Sequence, residues 1–118
     1  MDEFFAQQRV WEERATQAQA AAAQAYLRLL RLAEMRQGGQ ALAIARFVAS
    51  MYDSHEHAFD PLDLRAVDVP ISDDMLLCLD ALRWGRADLY TLIPDGDQRI
   101  RQMCLDWGLA PSTADTRN

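Results

Sequence analysis

The sequence predicts an all-α protein: one long, heptad-patterned N-terminal helix followed by a compact bundle of about four short helices. Three observations predict it. Apolar residues in the first 36 positions recur in alternating steps of four and three, a spacing that keeps one stripe of a helix facing a neighbour. No stretch alternates apolar and polar residues as a half-buried strand does. Beyond Gly38, helix-start and helix-stop residues punctuate the chain at short intervals.

The first helix is expected from Glu3 to Arg36, about 50 Å long at 1.5 Å per residue. Ala, Gln, Glu, Arg and Leu dominate it, and Gly38-Gly39 supplies its stop. Its seam runs through Phe4, Trp11, Ala15, Ala18, Ala22, Ala25, Leu29 and Leu32. Alanine at four central positions buries little area but lets two backbones approach closely. The heavier ends differ, and the expectation is that the Leu-rich end packs on the domain while the Trp11 end reaches out.

A second helix from Gln40 to Tyr52, apolar on more than one face, reads as the central core element. Asp53 to Phe59 reads as a polar loop, and Asp60-Pro61 as the cap and first position of a short helix over 62–67. Val69-Pro70-Ile71 reads as an extended connector, with Ser72-Asp73-Asp74 starting a helix that runs from Met75 to Trp84 and stops at Gly85. Asp88 to Ile93 predicts a short helix or turn closed by Pro94-Asp95-Gly96. The final helix, 97–107, sets Ile100, Met103, Cys104 and Trp107 on one face, and Gly108 ends it. The expected organisation is a docking or oligomerisation helix at 1–37, a helical domain at 38–109 and a frayed tail at 110–118.

A chain of 118 residues is one domain's worth of protein. No apolar run approaches the ~20 residues that span a bilayer, since Arg28, Arg31, Glu34 and Arg36 break the longest candidate. The acidic start Met1-Asp2-Glu3 is unlike the basic start of a signal peptide, so the expected location is cytoplasmic. Cys78 and Cys104 fall among apolar residues of predicted helices and read as buried thiols. All twelve basic residues are Arg, and without Lys the chain has neither Schiff-base nor Walker-type lysine chemistry.

Charge is concentrated in the middle. Residues 53–97 hold eleven acids and three arginines, within a chain of net charge −6. That field repels phosphate and suits a basic protein surface. The candidate acidic face comprises Asp53, Glu56, Asp60, Asp63, Asp73 and Asp74.

His55 and His57, with Asp53, Glu56 and Asp60 nearby, are a weak candidate metal site. Zinc helices place their histidines at i and i+4, whereas an HxH pair in a loop needs a third ligand from elsewhere. The acidic pairs Asp73/Asp74 and Asp95/Asp97 read first as carboxylates favoured at helix N-termini. No nucleophile elbow, Gly-rich phosphate loop, CxxC or EF-hand pattern occurs, so neither catalysis nor a cofactor is expected. Arg83, Trp84 and Arg86 form a small basic and aromatic spot, Trp107 reads as core, and Trp11 as an exposed or interface residue.

Ala45-Arg46-Phe47-Val48-Ala49, Phe59-Asp60-Pro61-Leu62-Asp63-Leu64 with Val67-Asp68, Ile71-Ser72-Asp73-Asp74-Met75 and a helix ending at Asp106-Trp107 occur in order. Over residues 39–108 this pattern resembles a small uncharacterised bacterial domain family of integrative conjugative elements and plasmids. The resemblance brings no catalytic residues, only the mobile-element setting. In that setting the expected role is a non-enzymatic interaction protein, an inhibitor of a host nucleic-acid-binding or defence complex in the manner of an anti-CRISPR protein. It would act through its acidic surface and would form a homodimer through helix one. The alternatives are a DNA-associated accessory factor using Arg28, Arg31, Arg36 and the Arg99-Ile100-Arg101 helix, and a metal-dependent enzyme at His55 and His57.

Overall fold

A computed structural model describes residues 2–109 as an all-α fold, with no strand among them. Helix α1 spans Asp2–Met35, α2 Ala41–Tyr52, α3 Val69–Leu82 and α4 Gly96–Trp107, with 3-10 turns at Pro61–Arg65 and Leu89–Leu92. The expected tail at 110–118 lies outside the described residues.

Helix α1 ends where Arg36 and then Gly38 turn to positive φ, 56° and 87°, which releases the chain from the helical path. Its second half supplies Ala22, Ala25, Tyr26, Leu29, Leu30 and Ala33 to the single core, alongside Ile44, Phe47 and Val48 of α2, Met75 and Cys78 of α3, and Ile100 and Met103 of α4. The core therefore runs across the division expected at residue 37. Tyr26 fixes this junction, since its buried hydroxyl donates to the Val48 carbonyl at 2.7 Å.

Helices α1 and α3 pack antiparallel. Arg28 pairs with Asp74, the Cys78 thiol faces the Ala22 carbonyl, and Arg14 lies over Trp84, so contacts retreat along α1 as they advance along α3. Cys78 and Ala22 are fully buried at this crossing, where the alanine seam allows the close approach. The expected heptad seam thus has a partner within its own chain from Ala15 to Leu29.

The start of α3 corrects the reading of Val69-Pro70-Ile71 as an extended connector. Proline fits the first turn of a helix because its missing N–H has no partner there, and Asp68 is the extended residue that precedes it, at φ −62° and ψ 150°. Ser72, Asp73 and Asp74 consequently lie one turn inside the helix. Gln40 ties this start to the start of α2: its amide donates to Asp68 Oδ2 at 3.0 Å and its carbonyl oxygen accepts from the Asp68 N–H.

The last turn of α1 is completed by α4. The Trp107 indole N–H donates to the Ala33 carbonyl at 2.8 Å, one of the four terminal carbonyls that a helix cannot satisfy internally. Arg99 holds Glu34 through two bonds of 3.0 and 2.7 Å, and Arg36 stands over the Trp107 ring.

Candidate interaction surface

Every described residue of α1 before Ala15 is exposed, and Ala15 itself is buried. Three turns and a half of helix, about 20 Å, therefore stand clear of the core. This end carries four large apolar side chains: Phe4, Phe5, Val10 and Trp11, at 58, 52, 52 and 47 % exposure. Phe4 and Phe5 pack edge to face with centroids 5.6 Å apart, so the aromatic tip is partly ordered by itself.

The position of this stripe follows from the heptad spacing. Phe4 and Trp11 share the face of α1 that Ala15, Ala22, Ala25 and Leu29 present to the core. Covering ceases because α3 ends at Leu82 and the chain turns away at Gly85, whose φ is 62°. Of the remaining seam residues, Ala18 is half-buried and Leu32 is exposed beside the other end of the bundle.

Trp84 closes the covered part. The guanidinium of Arg14 lies 5.4 Å from its ring centroid and that of Arg83 4.9 Å, the latter also paired with Asp80 at 2.7 Å. The Trp84 indole nitrogen is enclosed without a hydrogen-bond partner. Arg9, Glu12, Glu13 and Arg86 together line a shallow groove, two cations against two carboxylates. The basic and aromatic spot expected at 83–86 is thus assembled jointly with α1, which the local sequence of either segment could not reveal.

The candidate acidic face divides by what its carboxylates hold. Asp53 accepts from the His55 and Glu56 N–H groups at 3.0 and 3.3 Å, and Asp60 accepts from the Leu62 N–H at 2.9 Å and so caps the 3-10 turn. Asp74 receives a two-pronged Arg28 guanidinium at 2.9 and 3.0 Å, which raises the Arg28 pKa chiefly through that hydrogen bond. Asp63 has one oxygen enclosed without a partner, Glu56 is half-buried and Asp73 is exposed.

The arginines singled out for nucleic acid are similarly engaged within the chain. Arg28 and Arg99 serve carboxylates, Arg36 a tryptophan, and Arg101 donates to the Tyr52 hydroxyl at 3.0 Å beside Asp97. Tyr52 in turn donates to Asp97. Arg31 is exposed on α1.

At the loop histidines, His57 Nε2 lies 4.0 Å from Cys104 Sγ, in a crevice bordered by Tyr52, Arg101 and Leu109. Among the described residues no three His, Cys, Asp or Glu side chains gather closely enough to hold a metal ion. Burial pushes the thiol of Cys104 up, and that of Cys78 up to about 12, so both stay protonated and poorly nucleophilic near neutrality. Among the described residues no helix is long and apolar enough to cross a membrane.

Comparison with known proteins returns one family. The model of a family of unknown function (DUF7673) matches residues 23–108, whereas no curated protein and no solved structure matches the chain. The match starts earlier than the residue 39 expected from the motifs, because the Tyr26 to Ala33 segment of α1 belongs to the same core as those motifs. The free end of α1 lies outside the match. The chain belongs to the DUF7673 family, a family of unknown function.

Proposed function

We propose that the protein works by binding another protein, without catalysis, and that the free end of α1 from Phe4 to Arg14 is its docking element. One observation carries this reading: an aromatic stripe at half exposure, on the same face as the buried seam, extends past the point where the chain's own helices cover it. Monomeric proteins seldom leave contiguous aromatic side chains on a projecting helix, and Trp is the residue type most often dominant at interfaces. A helix presenting anchors at i and i+7 is a standard way to engage a groove or a second helix. Within that reading, the mobile-element setting implied by the sequence resemblance makes an inhibitor or accessory factor the role we propose.

The test compares the size of the chain in extracts of producing cells with that of the Phe4→Glu/Trp11→Glu variant. The native chain should elute in an assembly larger than one copy and the variant as a single chain with unchanged helicity. A native chain eluting as a single copy, or a variant eluting with the native chain, contradicts the reading.

A further inference from the structure

We infer that the Cys104 thiol and the His57 imidazole form a binding site for one soft monovalent cation of the copper(I) type. The site lies between α4 and the loop that follows α2, and it is independent of docking by α1. His57 Nε2 stands 4.0 Å from Cys104 Sγ. Metal bonds of about 2.3 Å to sulfur and about 2.0 Å to an imidazole nitrogen set the two atoms about 3.5 Å apart at a tetrahedral angle and about 4.3 Å apart in line. The 4.0 Å gap therefore corresponds to a wide angle, about 135° with those lengths. The shorter bonds of two-coordinate copper(I), an ion that thiolates favour, bring the angle closer to straight.

Charge balance selects a monovalent ion. On binding, the Sγ–H proton leaves to solvent and the thiolate lone pair makes one bond, the Nε2 lone pair of the neutral ring makes the other, and no oxidation state changes. A thiolate and a monovalent cation are neutral as a unit. A divalent ion would bring surplus charge into a crevice walled by Tyr52, Leu105 and Leu109. At the rim, Asp53 and Glu56 stand against Arg101, which itself pairs with Asp97 at 3.4 Å, so a cation meets no net opposing charge. Zinc and harder ions need more ligands than the described residues gather here.

Both ligands are held in place by the fold. The His57 N–H donates to the Asp53 carbonyl at 3.0 Å, and the Asp53 carboxylate fixes two further N–H groups of the same loop. Cys104 is 8 % exposed on α4, and its carbonyl accepts from the Leu109 N–H at 2.8 Å, which brings Leu109 to the crevice wall. Cys78, by contrast, is fully buried with its thiol against the Ala22 carbonyl.

Reduced, metal-free protein without a His tag tests the site, with silver(I) as a redox-inert probe and copper(I) in competition with a chromophoric chelator. One ion per chain should bind, one proton should be released, and the His57 ring resonances should shift. His57→Gln, in the loop, should weaken copper(I) binding by more than about 10-fold, the effect that loss of even an outer-shell partner has. Cys104→Ala should abolish it, and zinc(II) should not displace silver(I). No ion retained by the native chain, binding retained by Cys104→Ala, or unchanged affinity in His57→Gln overturns the site. Displacement of silver(I) by zinc(II) overturns its selectivity for a monovalent ion.

Discussion

The buried hydroxyl of Tyr26 donates to the carbonyl of Val48, 22 residues away in sequence, and so joins α1 to the central helix of the bundle. With Leu29 and Leu30 beside it, this part of α1 is core rather than appendage. A chain beginning at Gly38 loses those three side chains, each contributing about 1.5–3 kcal/mol of burial, out of a typical stability of about 5–15 kcal/mol. It should be unfolded by circular dichroism. A chain lacking residues 1–12 should melt within a few degrees of the native one.

Trp107→Phe keeps the aromatic packing but leaves the Ala33 carbonyl unserved at the end of α1. The expected loss is about 1–3 kcal/mol in urea denaturation, with an unchanged denaturant slope.

Gly96 opens α4 against the preceding turn, where an added Cβ would stand 2.0 Å from the Tyr90 carbonyl oxygen and 2.8 Å from an Ile93 side-chain carbon. Backbone cannot yield as a flexible side chain can. Gly96→Ala should cost about 3 kcal/mol, whereas the same change at Gly39, which has open space around it, should be nearly silent.

Stability should fall on the alkaline side. Burial holds the Cys78 thiol at about 12 against an ordinary value of 9.0, so between those limits the unfolded chain loses a proton that the folded chain keeps. The contribution is complete below pH 9.0 and is lost as pH rises toward 12, at up to about 1.4 kcal/mol per pH unit. Tyr26, raised well above 10.0 chiefly by burial, adds a decline of the same sign. Cys78→Ala should make the alkaline decline of the denaturation midpoint shallower; an identical slope would refute this assignment.

Much of the architecture is legible in the sequence, because helix stops and apolar faces are local. The end of α1 at Gly38, the 3-10 turn behind Asp60-Pro61 and the buried face of α4 all follow from residues within one turn. The start of α3 is less legible, since proline is equally at home in an extended connector and in a first helical turn. The seam was legible as a contact face but its partner was not: heptad spacing specifies that Ala15, Ala22, Ala25 and Leu29 meet a helix, and says nothing of which chain supplies it. The acidic residues divide the same way: Asp53 and Asp60 serve N–H groups two or three residues on, whereas Asp74 pairs with Arg28, 46 residues away, through tertiary placement.

Docking by the free end of α1 is tested most directly by a photo-reactive phenylalanine placed at Trp11 in producing cells, with the same group at Arg46, exposed on α2, as comparison. The account predicts a discrete covalent protein adduct from position 11 and none from position 46. No adduct at position 11, or equal adducts from both, would contradict it.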